Sequence, residues 1–515
     1  MVDHLGRPDK EIDHSSTIDN TGSESVTDSN VQDVEKAAPA KAPGPAVQVV
    51  DDPDVVDWEG PDDPARPLNW PAFKKWKNIF VVSTLTLMTP FASSMFAPAV
   101  PDVMKDFNST NILLAAFVVS VYVVGYVFGP LIVGPMSELY GRLWVYHINT
   151  GLFIIFNLVC GLSTNLAMII VFRFLAGFAG VAPMTVGSGT IADLFKQEER
   201  GKVMSTWTLP ILLGPTLGPL AGSYIGEALG WRWDFYILSI AAAVAFAAAL
   251  WLQDETYPMT LLERKAKRLR KETGNEKLRS ILQSTMSPGR LFWTNIVRPT
   301  KMLTLSPIVF LLSLYVAISY GYLYLLFTTI TELYETVYGV SRANVGLTYL
   351  GIGIGQFFGL FIFGAISDKT LKRMADGGEM KPEYRLPPLA YGGVLMPLGL
   401  FLYGWSAEYR VHWIVPIIGT TIVGAAMILI FMPIGTYLVD AYTRYAASAM
   451  AANTVLRSLG GALLPLCGGQ MYDALGYGWG NSLLAFLALG MLPVVWVFMR
   501  YGERIRTHPK FQLNL

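Results

Sequence analysis

From Asn78 to Arg500 the chain alternates between apolar runs of about 20 residues and short polar breaks. A helix of that length crosses the ~30 Å hydrocarbon core of a bilayer. Twelve runs are read, at 78–100, 112–133, 143–163, 166–190, 203–226, 234–252, 304–330, 344–366, 387–405, 411–438, 446–472 and 480–500. The pattern predicts an all-α membrane protein with twelve transmembrane helices in two six-helix, pseudo-symmetric halves. The halves are expected at 71–252 and 304–500, separated by a central loop at 253–303. An acidic, Ser- and Pro-rich tail at 1–70 reads as disordered and cytosolic, and a second tail is expected at 501–515.

Charge adds an orientation. Lys74, Lys75 and Lys77 precede the first run, and Arg264, Lys265, Lys267, Arg268, Arg270 and Lys271 crowd the central loop. Lys369, Lys372 and Arg373 follow the eighth run, and Arg500, Arg504 and Arg506 follow the twelfth, whereas the opposite loops carry only scattered bases. Basic loops stay cytosolic, so both termini and the central loop are expected in the cytosol of a multi-pass plasma-membrane protein, with a vacuolar or vesicle membrane as the alternative. The sequon at Asn108 then faces outward, close to the membrane. Leu262, Ala266 and Leu269 share one face of a basic central-loop helix, which either lies on the anionic leaflet or links the halves through water.

Composition excludes several classes. The chain is 52% hydrophobic and 15% charged with no net charge, against about 25% charged in soluble domains. Cys160 and Cys467 stand far apart in apolar runs and imply neither a disulfide framework nor a metal site. There is no phosphate-binding P-loop, no HExxH and no GxSxG. Neither an enzyme, nor an ATP-driven pump, nor a nucleic-acid partner is expected.

The loops repeat. GPMSELYGR (134–142) follows the second run and GAISDKTLKR (364–373) the eighth, so Gly134 aligns with Gly364, Ser137 with Ser367 and Glu138 with Asp368. Together with RFLAGFAG in the fourth run, LLGPTLGPLAGSYIG in the fifth, DLFKQEERG after the fourth and DDPARPLNWP before the first, these segments resemble the major facilitator superfamily. They are most similar to its fungal twelve-span drug:proton antiporters. The likeness covers about residues 57–505, departing from the loop motif at Met136, Glu138 and Leu139. It implies a major facilitator fold and proton-coupled export by alternating access, with no cofactor beyond the proton gradient. It also implies a cytosolic latch around Gly134, Glu138, Gly141, Arg142, Asp193 and Arg200, with Asp368 and Lys369 in the second half.

Glycine rows mark close helix approach. Gly214, Gly218 and Gly222, interleaved with Pro215 and Pro219, form a double GxxxG in span five, and Gly351, Gly355 and Gly359 form another in span eight. Spans five and eight face each other in the resembled fold, which implies a helix seam between the halves.

Two arginines lie inside apolar runs, where a charge is costly and points to function. Arg173 shares a face with Gly177, Gly180, Met184 and Gly187, and Arg457 shares one with Asn453 and Gly461. No Asp or Glu is found deep in a span, so Arg173 is expected against a carbonyl, a tyrosine or the substrate; the resemblance implies for it a part in proton coupling or substrate binding, and the alternative for either arginine is a tether to backbone carbonyls. Tyr320, Tyr324 and Phe327 of span seven, Gln356 of span eight, and Tyr122 and Tyr126 of span two supply aromatic and amide surface. Such faces suit a small hydrophobic, neutral or acidic organic solute. The main expectation is a monomeric efflux pump exchanging that solute for protons. The alternatives are proton-coupled uptake on the same fold and a non-transporting membrane sensor.

Overall fold

Backbone amides in lipid find no water, and a single segment satisfies its own only as a helix. The computed structural model, which describes residues 54–282, 287–375, 381–442 and 445–508, follows that rule. In chain order the helices are α1 (Ala72–Met95), α2 (Val100–Asp106), α3 (Ile112–Tyr140), α4 (Arg142–Gly161), α5 (Leu166–Gly180), α6 (Ala182–Leu194), α7 (Gln197–Leu229), α8 (Arg232–Leu252), α9 (Pro258–Thr273), α10 (Pro288–Leu305), α11 (Pro307–Thr336), α12 (Arg342–Thr348), α13 (Leu350–Ala375), α14 (Pro387–Glu408), α15 (Ile414–Ala441), α16 (Ala446–Leu463), α17 (Gly468–Gly490) and α18 (Leu492–Thr507). Most of the expected acidic tail, and the chain after His508, lie outside the described residues.

Ten helical stretches among the described residues are long and apolar enough to cross a membrane. One of them, Ala446–Thr507, runs 62 residues, several times a single crossing. Gly476, at φ +71°, turns the chain there between two passes. The Pro-rich α7 packs against α1, α12 and α13 within the bundle and completes twelve passes. Spans four and eight are each built from two helices in sequence: α5 with α6, and α12 with α13.

Lipid-facing and buried sides follow helical periodicity. On α4, Trp144, Ile148, Leu152, Ile155 and Leu158 are exposed, while Tyr146, Asn149, Thr150, Phe153 and Asn157 are buried. An exposed apolar stripe of this kind is the lipid side. Helix α11, by contrast, is buried along most of its length. Helices α1 and α3–α8 pack among themselves, as do α11 and α13–α18, and the contacts between the two groups run chiefly from α3 and α7 to α10, α12, α13 and α16, with smaller ones from α11 and α17.

The lead-in to α1 and the central segment lie together on one face, here the terminal face. Val55–Val56 (β1) pairs in parallel with Arg279–Ser280 (β2). Lys265 contacts Glu59 at 3.1 Å, and Asn275 bonds to Asp54 at 2.8 Å. Leu262 and Ala266 of α9 are fully buried, packed on protein, and neighbouring Leu261 joins the cluster around Trp70 and Tyr146. The apolar face of α9 is therefore covered by its own chain, and neither of the two expectations for it, lipid or open water, describes it. Its basic residues Arg264, Lys267 and Arg268 remain exposed.

The glycine rows need a correction. A Cβ on Gly214, Gly218 or Gly222 would strike Pro90, Phe91, Ser94 or Met95 of α1, and one on Gly351, Gly355 or Gly359 would strike Ile417, Thr420, Thr421, Ala425 or Ile428 of α15. Each row thus seats a helix of its own half. Spans five and eight do meet, but on another phase of each helix. Gly346 lies against Ser223 and the Pro219 carbonyl, and Gly353 against Thr216, while Ser223 Oγ donates to the Ala343 carbonyl at 3.1 Å.

The two kinds of glycine predict different defects. Gly355→Leu overpacks one half, and such insertions cost about 1–3 kcal/mol. It should lower yield and the melting midpoint by several degrees. Gly353→Leu presses on the junction between halves, and should spare the melting midpoint in detergent while blocking transport. Fluorescence-detected size exclusion after heating, paired with a transport assay, checks both; equal melting losses would refute the distinction.

Candidate functional site

Helix α1 ends at Met95, and Pro98 follows in a 3-10 turn at 97–99. The carbonyls of a last turn have no intrahelical donor, and Pro98 offers none. Arg173, 1% exposed, supplies one. Its Nη2 donates to the Ser93 carbonyl at 3.3 Å and to Val119 at 3.5 Å, and its Nε donates to Val118 at 2.8 Å. Its guanidinium carbon lies 4.8 Å from the Phe96 ring centroid and 5.2 Å from that of Tyr122. The charge is thus spread over carbonyl oxygens and π faces, and it clamps the end of α1 to α3. Gly177 and Gly180, on the same face of α5, let α3 and Phe153 approach; a Cβ on Gly177 would strike the Tyr122 carbonyl.

Ser93 faces two ways. Its hydroxyl meets the Tyr324 hydroxyl at 2.5 Å, across the junction of the halves. Around that contact the sequence-predicted aromatics gather. Tyr122 and Tyr126 pack edge to face at 5.5 Å, Tyr320 and Tyr324 lie 5.0 Å apart, and Tyr324 and Phe327 lie 5.4 Å apart. Thr89 donates to the Gly180 carbonyl and accepts, through its own carbonyl, from Tyr122 at 3.1 Å. Arg457 stacks over Tyr320 at 5.0 Å, and its buried Nε has no hydrogen-bond partner among the described residues. Asn453, one turn earlier, is buried, and its Oδ1 likewise has none among them. Gln356 is not part of this group: it packs on α15, donating to Met427 Sδ at 3.7 Å.

On the terminal face, Arg142 opens α4. Its Nε pairs with Asp193 at 3.1 Å and its Nη1 donates to Ser137 at 2.6 Å. Glu255 receives the Arg142 and Leu143 amides at 3.0 and 3.2 Å, so a carboxylate caps the positive end of α4. Gly141, at φ +91°, makes room for it. Arg200 does not join Asp193; it donates to the Phe195 and Ala192 carbonyls. Glu138 does not meet Arg142; it accepts from Asn295 of α10 at 3.0 Å. Gly134 has open space, with Thr185 nearest at 4.0 Å. Lys369 is exposed, and the Asp368 side chain lies outside the described ones. Nearby, burial pushes the Asp254 carboxyl up, but hydrogen bonds from Lys77 and Asn78 outweigh it and hold it below the ordinary value.

On the opposite face, here the far face, an ion pair joins the two halves. Arg342 of α12 pairs with Asp102 of α2 and, at 3.1 Å, with Glu335 of α11. Asn108 lies on the turn after α2 with φ +50°. Asp234, in the first turn of α8, is 2% exposed, and neither carboxyl oxygen has a hydrogen-bond partner among the described residues.

Sequence reasoning missed Ser93, Thr89, Glu255, Asp234 and the Arg342–Asp102 pair. The first two had a signal: Thr86, Thr89 and Ser93 recur at helical spacing inside an apolar run. Asp234 opens the sixth run between Trp233 and Phe235, a place where an acid is out of keeping. No spacing rule joins residue 255 to 142, or 342 to 102.

Comparison with known proteins agrees with this architecture. The model of the Major Facilitator Superfamily matches residues 82–465. "MFS-type transporter penM" of Penicillium rubens is 52% identical over 506 residues, covering 98% of this chain and 100% of the relative. "Efflux pump radE" of Floropilus chiversii is 52% identical over 467 residues, covering 90% of this chain and 87% of the relative. Among solved structures, the partially occluded inward-open xylose transporter XylE of E. coli superposes with a TM-score of 0.64 at 16% identity, covering 83% of this chain and 98% of that one; at that identity the likeness speaks to the fold. With twelve passes in two halves, and a family match across most of its length, the chain belongs to the major facilitator superfamily and is a multi-pass membrane transporter, not an enzyme.

Proposed function

We propose that this transporter exports small hydrophobic, neutral or acidic organic molecules in exchange for protons, by alternating access. The observation that carries the proposal is the aromatic junction: Tyr122 and Tyr126 from one half, and Tyr320, Tyr324 and Phe327 from the other, around the Ser93–Tyr324 contact. π faces with a few hydroxyls suit a planar greasy solute. The guanidiniums beside it, with no carboxylate among them, favour neutral or acidic solutes over cations. Arg457 and Asn453, with unpartnered polar atoms, are the groups left to receive solute oxygens or donors. The relative named an efflux pump supports the outward direction. The basic terminal face supports a cytosolic placement of both termini, in the plasma membrane, with the protein acting as a monomer and the proton gradient as its energy source.

Arg173 acts in this scheme as a positioning residue. It holds the carbonyl of the same serine whose hydroxyl meets the other half, so it sets where the junction closes. On the terminal face, Glu138 and Asn295 form the link that opens and reforms, and Arg142, Asp193 and Glu255 keep its surroundings rigid. Exposed polar links are individually weak, as a reversible latch requires.

Inside-out vesicles carrying the protein, acidified inside and exposed to a metabolite extract, should accumulate a subset of its compounds by mass spectrometry, and collapse of the gradient should abolish it. Accumulation only in the opposite orientation would favour uptake. A peptide tag added after His508 should be reached by antibody only in permeabilised cells; labelling of intact cells would overturn the orientation. Arg173→Ala leaves two or three carbonyls without their charged donor, each worth about 1.5–3 kcal/mol. It should cut export roughly tenfold or more per inserted molecule and lower the melting midpoint, with Arg173→Lys recovering stability better than export, because a point donor cannot span the fork. Wild-type export by Arg173→Ala would end this reading.

A further inference from the structure

Asp234 has a burial that no element of the transport scheme explains. Both of its oxygens are shielded from solvent and neither has a hydrogen-bond partner among the described residues. It sits in the first turn of α8, where amides favour an anion, yet none of them donates to it. The arginines nearby are committed elsewhere. Arg232, on its own helix, pairs with Asp106 at 3.0 Å. Arg342 pairs with Asp102 and Glu335, and Arg173, beyond the Phe235 ring at 5.9 Å, is held by carbonyls. From α7, Gly226 lies close enough that a Cβ there would come within 3.9 Å of Asp234, while Glu227 is exposed. From α2, Lys105 is exposed, and Asp102 is taken up by Arg342. With no hydrogen bond and no counter-ion among the described residues, an ionised carboxylate in such a place meets a desolvation cost that the helix dipole offsets only in part.

We infer that Asp234 is a proton-binding site of the far face, and that this face closes only when the site is occupied. In the closed arrangement, Asp102 is engaged by Arg342 and Asp234 is sealed beneath it as the neutral acid. Opening withdraws Arg342 on α12 from α2 and lets water between α2, α7 and α8. The carboxyl then ionises and its proton passes to that water. Closing takes a proton back from the same side. A proton taken and returned on one side adds nothing to the exchange stoichiometry, so this site is distinct from the driving proton. It makes the return of the emptied transporter faster when the far side is acidic.

The test needs no substrate. Spin labels on Glu227→Cys and Asn344→Cys, in a Cys160→Ala, Cys467→Ala background, report the gap between α7 and α12 in the full chain in nanodiscs. From pH 5.5 to 8.5 the closed fraction should fall, by up to about tenfold in the closed-to-open ratio per pH unit for one linked proton. With Asp234→Asn added, the gap should stay closed throughout; with Asp234→Glu, pH dependence should persist. Infrared difference spectra of the wild-type protein should show a protonated carboxyl band at neutral pH that Asp234→Asn removes. A wild-type gap that ignores pH, an Asp234→Asn protein that tracks wild type, or a wild-type protein lacking the band would each overturn the inference. Whether vesicles couple export to a pH gradient is decided separately, and loss of that coupling alone leaves this site standing.

Discussion

The bond from Arg173 to the Ser93 carbonyl is the contact on which the rest of the molecule leans. Lipid offers no substitute donor, so the guanidinium that reaches the last turn of α1 helps to fix its shape. That end carries the hydroxyl that meets Tyr324. Past the 3-10 turn it also aims α2, and with it Asp102, at Arg342. The mid-membrane junction and the far-face ion pair are thus registered against each other through one short piece of backbone. An arginine suits the task because it stays charged and its fork reaches carbonyls on two helices at once.

Packing divides the glycines into two kinds. Those that seat α7 on α1 and α13 on α15 build each half as a stiff body, since backbones this close gain dispersion contacts along their whole length. Gly346 and Gly353 instead lie where the halves touch, with few polar bonds nearby beyond Ser223 to Ala343. A stiff body needs permanent contacts and a moving boundary needs interchangeable ones. The chain separates the two jobs by helical phase within the same span.

Much of this was readable from residue order. Apolar run length gave the passes, and loop repetition gave the halves, because hydrophobic thickness and duplication both leave linear traces. Arg173 stood out for the same reason, as did the aromatics of spans two and seven. Partner identity did not. The spacing of Gly214, Gly218 and Gly222 states how near a neighbour comes, not which neighbour, and the rows turned to α1 and α15. Glu255 and Asp234 were passed over because an acid at the edge of a span looks solvated in one dimension. Only the folded chain brings Glu255 to the amides of α4 and sets Asp234 beside Gly226 of α7.

The parallel pairing of Val55–Val56 with Arg279–Ser280 also imposes an order in time. A ribosome releases the first strand about 220 residues before the second, on the order of ten seconds or more at usual elongation rates. Until then the segment ahead of α1 has no strand to join, and α9 has not emerged to cover its neighbours. The first six passes must therefore enter the bilayer unfastened, and the knot of chain beneath them is tied only after the last of the six has been made. The staple can form only once the sixth pass has been made.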